Sequence, residues 1–266
     1  MSSCILHERE GGVAIVTLNR PQAKNALDPE ATGALTSLLR ALRDDDSVRS
    51  VLLCGAGGDF CAGGDLKALG QGAARSIEQR RAGMTLYRDL ALAMSHLDKP
   101  VVAAIDGVAY GAGLSLALLC DIVLVSDRAR MALVFHRVGL VPDVGAWYSL
   151  PRIVGLQRAK ELVFSAREFG PQEAVQMNLA LEVVPAPDLM ARARAIAASF
   201  EGASALALSL SKQALQASLQ SDLPAMLDLE ASSQAMASCT DYTREAVRRF
   251  AAREPAQFRW PGLKKD

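Results

Sequence analysis

Apolar positions along the chain fall into two periods. Short runs rich in β-branched residues, Val13–Leu18, Val48–Leu53, Val101–Ile105, Val123–Val125 and Leu181–Pro185, are bounded by Gly, Pro, Asp or Ser and predict buried strands. Helical spacing separates them. Asp28-Pro29-Glu30 is a good start for a helix to Arg43, a wide pattern over Ile77–Leu97 predicts one long, mostly buried helix, and Gly155–Ser165 and Pro171–Met177 predict two more. Gly11-Gly12 closes a hairpin between Val13–Leu18 and the segment around Ile5. Strands alternating with helices define an α/β class. From Pro187 onward the pattern is helical only, over 188–200, 203–219, 223–237 and 242–252. A boundary near residue 195 therefore divides an α/β core, 1–195, from a helical segment, 196–266, whose apolar faces call for completion by another subunit.

The stretch Lys99–Ser126 carries the densest pattern: an apolar strand, the turn Asp106-Gly107, the glycine pair in Gly111-Ala112-Gly113, a small-residue helix and a second strand. The first amides of a helix lack intrahelical partners and point outward as donors. An isolated glycine pair of this kind is explained by close helix packing alone. A second glycine turn, Gly55-Ala56-Gly57-Gly58 followed by Phe60-Cys61-Ala62-Gly63-Gly64-Asp65-Leu66, changes the reading. Two strand-to-helix turns with exposed amides can bracket one carbonyl oxygen as an oxyanion hole.

Composition narrows the class. A chain of 266 residues holds one large domain with a smaller appendage, and equal acidic and basic counts, 29 each, disfavour a nucleic-acid partner. Five scattered cysteines without paired spacing read as reduced core thiols of a cytoplasmic protein. His7, His96 and His136 have no metal-ligand spacing, and charges interrupt every apolar run before membrane-spanning length, so neither a metal nor a membrane is expected. Lys24, beside a turn, reads on its own as a solvated surface charge.

Taken in order, RPQAKNAL (Arg20–Leu27), FCAGGDL (Phe60–Leu66), KPVVAAIDGVAYGAG (Lys99–Gly113), ALLCDIVLVS (Ala117–Ser126), GLVPDVGA (Gly139–Ala146), LPRIVGLQRAKEL (Leu150–Leu162) and REPAQF (Arg253–Phe258) resemble the crotonase superfamily, the enoyl-CoA hydratase/isomerase family. The resemblance implies a spiral of ββα units with a C-terminal helical segment that packs subunits into trimers or hexamers. It implies an acyl-CoA substrate, with no cofactor beyond the coenzyme A moiety itself. By motif position the amides of Gly64 and Ala112 would hold the thioester oxygen. Lys24 and Ala26 would lie near the coenzyme A phosphates, with Lys67 a weaker candidate, and Ala62, Gly63, Asp65 and Leu66 would border the adenine.

The same resemblance carries departures. The two glutamates that hydratases use for water addition fall here on Ser115 and Phe135, neither a general base. What remains is Asp143, in a GLVPD motif similar to that of ring-epoxide and dienoyl-CoA isomerases, which implies an isomerase with Asp143 as acid/base. From the residues alone, Asp143 is the N-cap of a helix starting at Val144. The aryl-CoA dehalogenases also carry an aspartate here, but the histidine base they need on the long helix is replaced by the Tyr87-Arg88-Asp89 region. Hydration without the glutamates and non-catalytic acyl-CoA binding are compatible with the same residues. Phe135, Trp147 and Tyr148 line the acyl pocket or belong to the core, and His136 reads as a packed or surface residue.

Overall fold

A computed structural model of the chain describes residues 3–66 and 76–262; Lys67 lies outside the described residues. The described strands, in chain order, are β1 (Ile5–Glu10), β2 (Val13–Leu18), β3 (Ser50–Gly55), β4 (Val101–Ile105), β5 (Val108–Tyr110), β6 (Ile122–Ser126), β7 (Arg130–Ala132), β8 (Glu168–Phe169) and β9 (Glu182–Val184). They form two sheets, ordered β1-β2-β3-β4-β6-β9 and β5-β7-β8. The first hairpin is antiparallel, as its glycine turn predicts, and every later pairing in the large sheet is parallel.

Parallel strands need both faces covered, which is why β3 and β4 are near-continuous apolar runs. Alternate residues go to opposite sides. Val51, Leu53, Ala103 and Ile105 join the larger core with Leu35 and Leu39 of α1 (Pro29–Asp44), while Leu52, Cys54, Val102 and Ala104 face a second cluster. The α1 N-terminus is capped as the sequence predicts, with the Asp28 carboxylate accepting from the Ala31 amide at 2.8 Å.

The chain passes from the large sheet to the small one at Asp106-Gly107 and climbs from β5 into a short helix; β6 and β7 repeat the step. These are the ββα units of the spiral. At the first crossing Gly107 has φ +53°, and a methyl group there would sit 2.2 Å from the Gly58 carbonyl oxygen. Only glycine lets the strand leave the sheet at this point.

The single long helix expected over 77–97 is two helices, α2 (Ile77–Gly83) and α3 (Thr85–Ser95). Gly83 weakens the helix, and the Met84 amide is shared between the Arg80 and Arg81 carbonyls, which tightens the last turn. Neither helix is mostly buried: Leu90, Ala93 and Met94 meet the core, whereas Ile77, Met84, Leu86 and Leu92 lie outside. The apolar stripe is wide because it serves two environments.

The remaining helices are α4 (Ala112–Ala117), α5 (Ala146–Val154), α6 (Leu156–Ser165), α7 (Pro171–Gln176), α8 (Leu189–Ser199), α9 (Ala205–Ala217), α10 (Leu223–Ser238) and α11 (Asp241–Ala251). Residue 195 lies inside α8, which packs Ala193, Ile196 and Ala197 onto the second sheet face. A division there would cut a core helix; the last three helices, none of which buries a residue of its own, begin at Ala205. Lys212 ties them back, its Nζ donating to Asp121 Oδ2 at 2.7 Å and to the Lys99 carbonyl at 3.0 Å. No described helix is long and apolar enough to cross a membrane.

The sheet crossing gives a paired expectation for urea unfolding. Gly107→Ala loses about 3 kcal/mol, from a left-handed alanine and a backbone clash together. Gly33→Ala, in α1 with nothing within 4 Å of the added methyl, gains roughly 0.5–1 kcal/mol.

Candidate active site

Two loops are sewn into one platform. Lys24 and Asn25 both have positive φ, +48° and +57°, a conformation that asparagine tolerates better than most residues. Asn25 is buried; its Nδ2 donates to the carbonyls of Ala56 at 2.8 Å and Asp59 at 2.7 Å, and its Oδ1 accepts from the Arg20 amide at 2.9 Å. The Ala62 amide donates to the Lys24 carbonyl at 2.9 Å. Beyond it, the Leu27 amide donates to the Gly63 carbonyl at 2.7 Å, and the Asp65 amide donates to the Leu27 carbonyl at 3.0 Å. In this parallel bridge both polar groups of Leu27 face the other segment, so the amide of Gly64 points away from Leu27.

Arg20 locks the platform from below. Its guanidinium donates to the buried Ala26 carbonyl and lies 3.0 Å from Asp65 Oδ2 and 3.1 Å from Asp28 Oδ2. Neither Arg20 nor Asn25 stands out in the sequence beyond its place in a motif. The available signal was an arginine upstream of two carboxylates and an asparagine between two apolar anchors. Lys24 keeps an exposed ammonium, 3.4 Å from Asp59 Oδ2, and Leu66 is exposed at the platform's end.

The second turn is pressed against this platform. Cys61 pairs with Ala109, its amide donating to the Val108 carbonyl and its carbonyl accepting from the Tyr110 amide, each at 2.9 Å. A methyl group on Gly113 would lie 2.3 Å from the Cys61 carbonyl oxygen. One on Gly63, at φ +101°, would lie 2.8 Å from the Tyr110 carbonyl oxygen and 3.4 Å from the Ala112 amide nitrogen. The residue preceding the Gly64 amide is thus packed against the Ala112 amide. Ala112 opens α4 and has negative φ, so its side chain fits without strain where glycine would also fit. Two such donors, each without a partner in its own element, can together accept charge on one oxygen.

Neighbouring groups have been taken out of the chemistry. Ser115 is fully buried with its Oγ donating back to the Gly111 carbonyl at 3.1 Å. Phe135, also buried, backs the Gly111 turn, its ring 3.7 Å from where a Gly111 methyl would be. Burial pushes the Cys61 thiol up to about 12, leaving it protonated and unreactive.

Asp143 is different. Its Oδ1 is buried and has no hydrogen-bond partner among the described residues, and burial pushes the carboxyl up to about 6, against a smaller opposing effect of its own backbone amide. The expectation that it caps a helix starting at Val144 is corrected: α5 starts at Ala146 with Gly145 as its cap residue and no side-chain cap bond. The reason lies in the backbone. Val144 and Gly145 are both left-handed, φ +48° and +77°, so the chain turns before the helix and only the Asp143 carbonyl reaches the Ala146 amide, at 3.0 Å. A β-branched residue at positive φ is strained, and Val144 is held there by burial in the main core.

Tyr87 of α3 completes the group, its hydroxyl 3.5 Å from where a Gly64 methyl would lie. Burial raises its pKa, and the charge of Asp143 is the next largest cause, so the carboxyl is close enough for its field to act on the phenol. Trp147 and Tyr148 are exposed on α5 and are not brought into this group; Arg152 lies over the Tyr148 ring at 3.7 Å. His136 is exposed and stacks on Phe164.

A ββα spiral whose two glycine turns back onto each other is a crotonase fold. The family model described as Enoyl-CoA hydratase/isomerase matches residues 8–261, and the chain belongs to that family. A probable enoyl-CoA hydratase of Rhodobacter capsulatus is 37% identical, covering 96% of this chain and 97% of the relative. The 1,2-epoxyphenylacetyl-CoA isomerase of Escherichia coli is 34% identical, over 97% of this chain and 99% of its own. Among solved structures, an enoyl-CoA hydratase/isomerase from Cupriavidus metallidurans superimposes with a TM-score of 0.93 at 40% identity, covering 98% of each chain. The chain is therefore an acyl-CoA enzyme of this family.

The environment of Asp143 has a stability consequence. Its carboxyl rises from the ordinary 3.8 to about 6 on folding, so between those values the folded state holds a proton that the unfolded chain has released. Stability contributed by this group therefore falls as pH rises through that window. Asp143→Asn, which cannot ionise, is expected to be more stable than the unsubstituted protein by roughly 2 kcal/mol at pH near 7.5, and no more stable below pH about 4. Urea unfolding at the two pH values checks this.

Proposed function

We propose that this chain is an acyl-CoA isomerase in which the amides of Gly64 and Ala112 hold the thioester oxygen and Asp143 moves a proton from one carbon of the acyl group to another. The observation that carries the reading is the state of Asp143: half-buried, with a buried Oδ1 that has no partner among the described residues, not used as a cap, and on a backbone strained at the next residue. A carboxyl near pKa 6 is largely ionised at neutral pH, ready to accept a proton, yet acidic enough once protonated to return it. Removing a proton from carbon conjugated to the thioester shifts negative charge onto its oxygen. Two fixed amides stabilise that charge more than the neutral carbonyl, which lowers the barrier.

Coenzyme A is read as lying along the platform, with Lys24 offering its exposed ammonium to a phosphate and the 62–66 loop bordering the adenine. Ser115 and Phe135 supply no second carboxyl for water addition. Because hydratases stand among the relatives, net hydration is the competing outcome of the test. Exposed apolar residues on and between the last helices, Leu215, Leu219, Leu223 and Phe250 among them, support assembly into a homotrimer or a pair of trimers; the enzyme is read as cytoplasmic.

Incubation with trans-2-enoyl, cis-3-enoyl and dienoyl thioesters of coenzyme A in heavy water tests the reading. Double-bond migration with deuterium uptake is expected, lost by at least about 100-fold in Asp143→Asn. The limiting rate constant kcat/KM should fall on the acid side of about pH 6 as Asp143 protonates. Rapid gain of water, or unchanged turnover in the variant, would overturn it.

A further inference from the structure

Tyr87 is a group that the proton transfer described above does not use. It stands on α3, opposite the Gly64 loop, with its ring half-buried and its hydroxyl 3.5 Å from where a Gly64 methyl would be. Its one protein acceptor among the described residues is the Leu27 carbonyl at 3.4 Å, well beyond the 2.5–3.0 Å usual for a hydroxyl donor. That carbonyl already accepts from the Asp65 amide at 3.0 Å. A sheltered hydroxyl with so poor a bond is free to turn toward a better acceptor, and the space beside it is where an acyl group would leave the Gly64 amide. Asp143, whose charge acts on the Tyr87 phenol, has a second unmet polar atom, its buried Oδ1. A purely hydrocarbon acyl group would cover both without pairing either, which is unfavourable for each.

We infer that Tyr87 is a hydrogen-bond donor to the substrate and selects acyl groups that carry an accepting oxygen close to the thioester over the matching hydrocarbon chains. This rests on the acyl-CoA site proposed above but not on the isomerase chemistry. Burial and the Asp143 charge both keep the phenol protonated, so it donates across the physiological pH range. Phe135 and Ser115 offer no competing donor, since one has no polar atom and the other is bonded within its own helix. Tyr87 therefore sets the polarity of the pocket at a point where the main chain already fixes the carbonyl.

Calorimetric titration with butyryl-CoA and with each enantiomer of 3-hydroxybutyryl-CoA tests the inference without requiring turnover. The unsubstituted protein is expected to bind one hydroxy enantiomer about 10-fold more tightly than butyryl-CoA, the worth of one sheltered hydrogen bond. Tyr87→Phe, which keeps the ring, should abolish that preference while leaving the butyryl-CoA Kd unchanged. Asp143→Asn should retain the preference, which separates the phenol from the carboxyl as its source. Equal binding of all ligands by the unsubstituted protein, or a preference that survives Tyr87→Phe, overturns the inference. A preference that depends on Tyr87 in a protein showing no bond migration would leave it standing and remove the isomerase reading instead.

Discussion

The structure depends on one close backbone approach. Cys61 and Gly113, and beside them Gly63 and Tyr110, meet at distances that no side chain beyond hydrogen allows. Through that contact the loop after β3 and the start of α4, drawn from distant parts of the chain, are packed together, the arrangement that the proposed pairing of their amides on one oxygen requires. Hydrogen bonds along the edges fix the approach: Cys61 is paired with Ala109, Leu27 is bridged to Gly64, and Gly111 donates to the Ala132 carbonyl. Preorganised amides of this kind cost no reorganisation when charge develops, which is what makes them useful to an enzyme.

Around this centre the protein leaves few polar groups unsatisfied, and the exceptions are informative. Asn25 uses both ends of its amide to join loops, Arg20 reaches two carboxylates and a carbonyl, and Ser115 turns back on its own helix. Asp143 and Tyr87 do not share in this economy. One carries a buried oxygen without a partner among the described residues, the other a long, shared hydrogen bond, and the carboxyl charge bears on the phenol's ionisation. Val144 is held in a conformation unfavourable for its type immediately beside the carboxyl. Broken local rules of this kind are what the proposed role of these residues leads one to expect, since functional sites are where stability yields.

Much of the fold was legible because parallel strands buried on both faces leave near-continuous apolar runs, and because capping at Asp28 and glycine turns have strong local signatures. The pattern over 77–97 reads as one buried helix because apolar spacing does not reveal whether a residue faces the core or the outside. The site was partly legible. Glycine pairs after strands located both turns from their spacing, whereas assigning Gly64 and Ala112 to one oxygen needed the family resemblance. Asp143 looks like a cap because Pro-Asp-Val-Gly is good capping sequence, and nothing local shows that valine there would be left-handed. Tyr87 is invisible as a donor because its relevance comes from a contact with Leu27 and Gly64, far away in sequence. Trp147 and Tyr148 attract attention as aromatics near the aspartate but sit on the outer side of their helix.

The central claim is that the amides of Gly64 and Ala112 grip a thioester carbonyl. Difference infrared spectroscopy of butyryl-CoA labelled with carbon-13 at the thioester carbonyl reads that grip without any reaction. Two fixed donors polarise the bond, so the labelled band is predicted to move to lower wavenumber on binding than it shows in water. A bound ligand whose carbonyl band stays at its aqueous position, or moves to higher wavenumber as in an apolar pocket, would contradict the account.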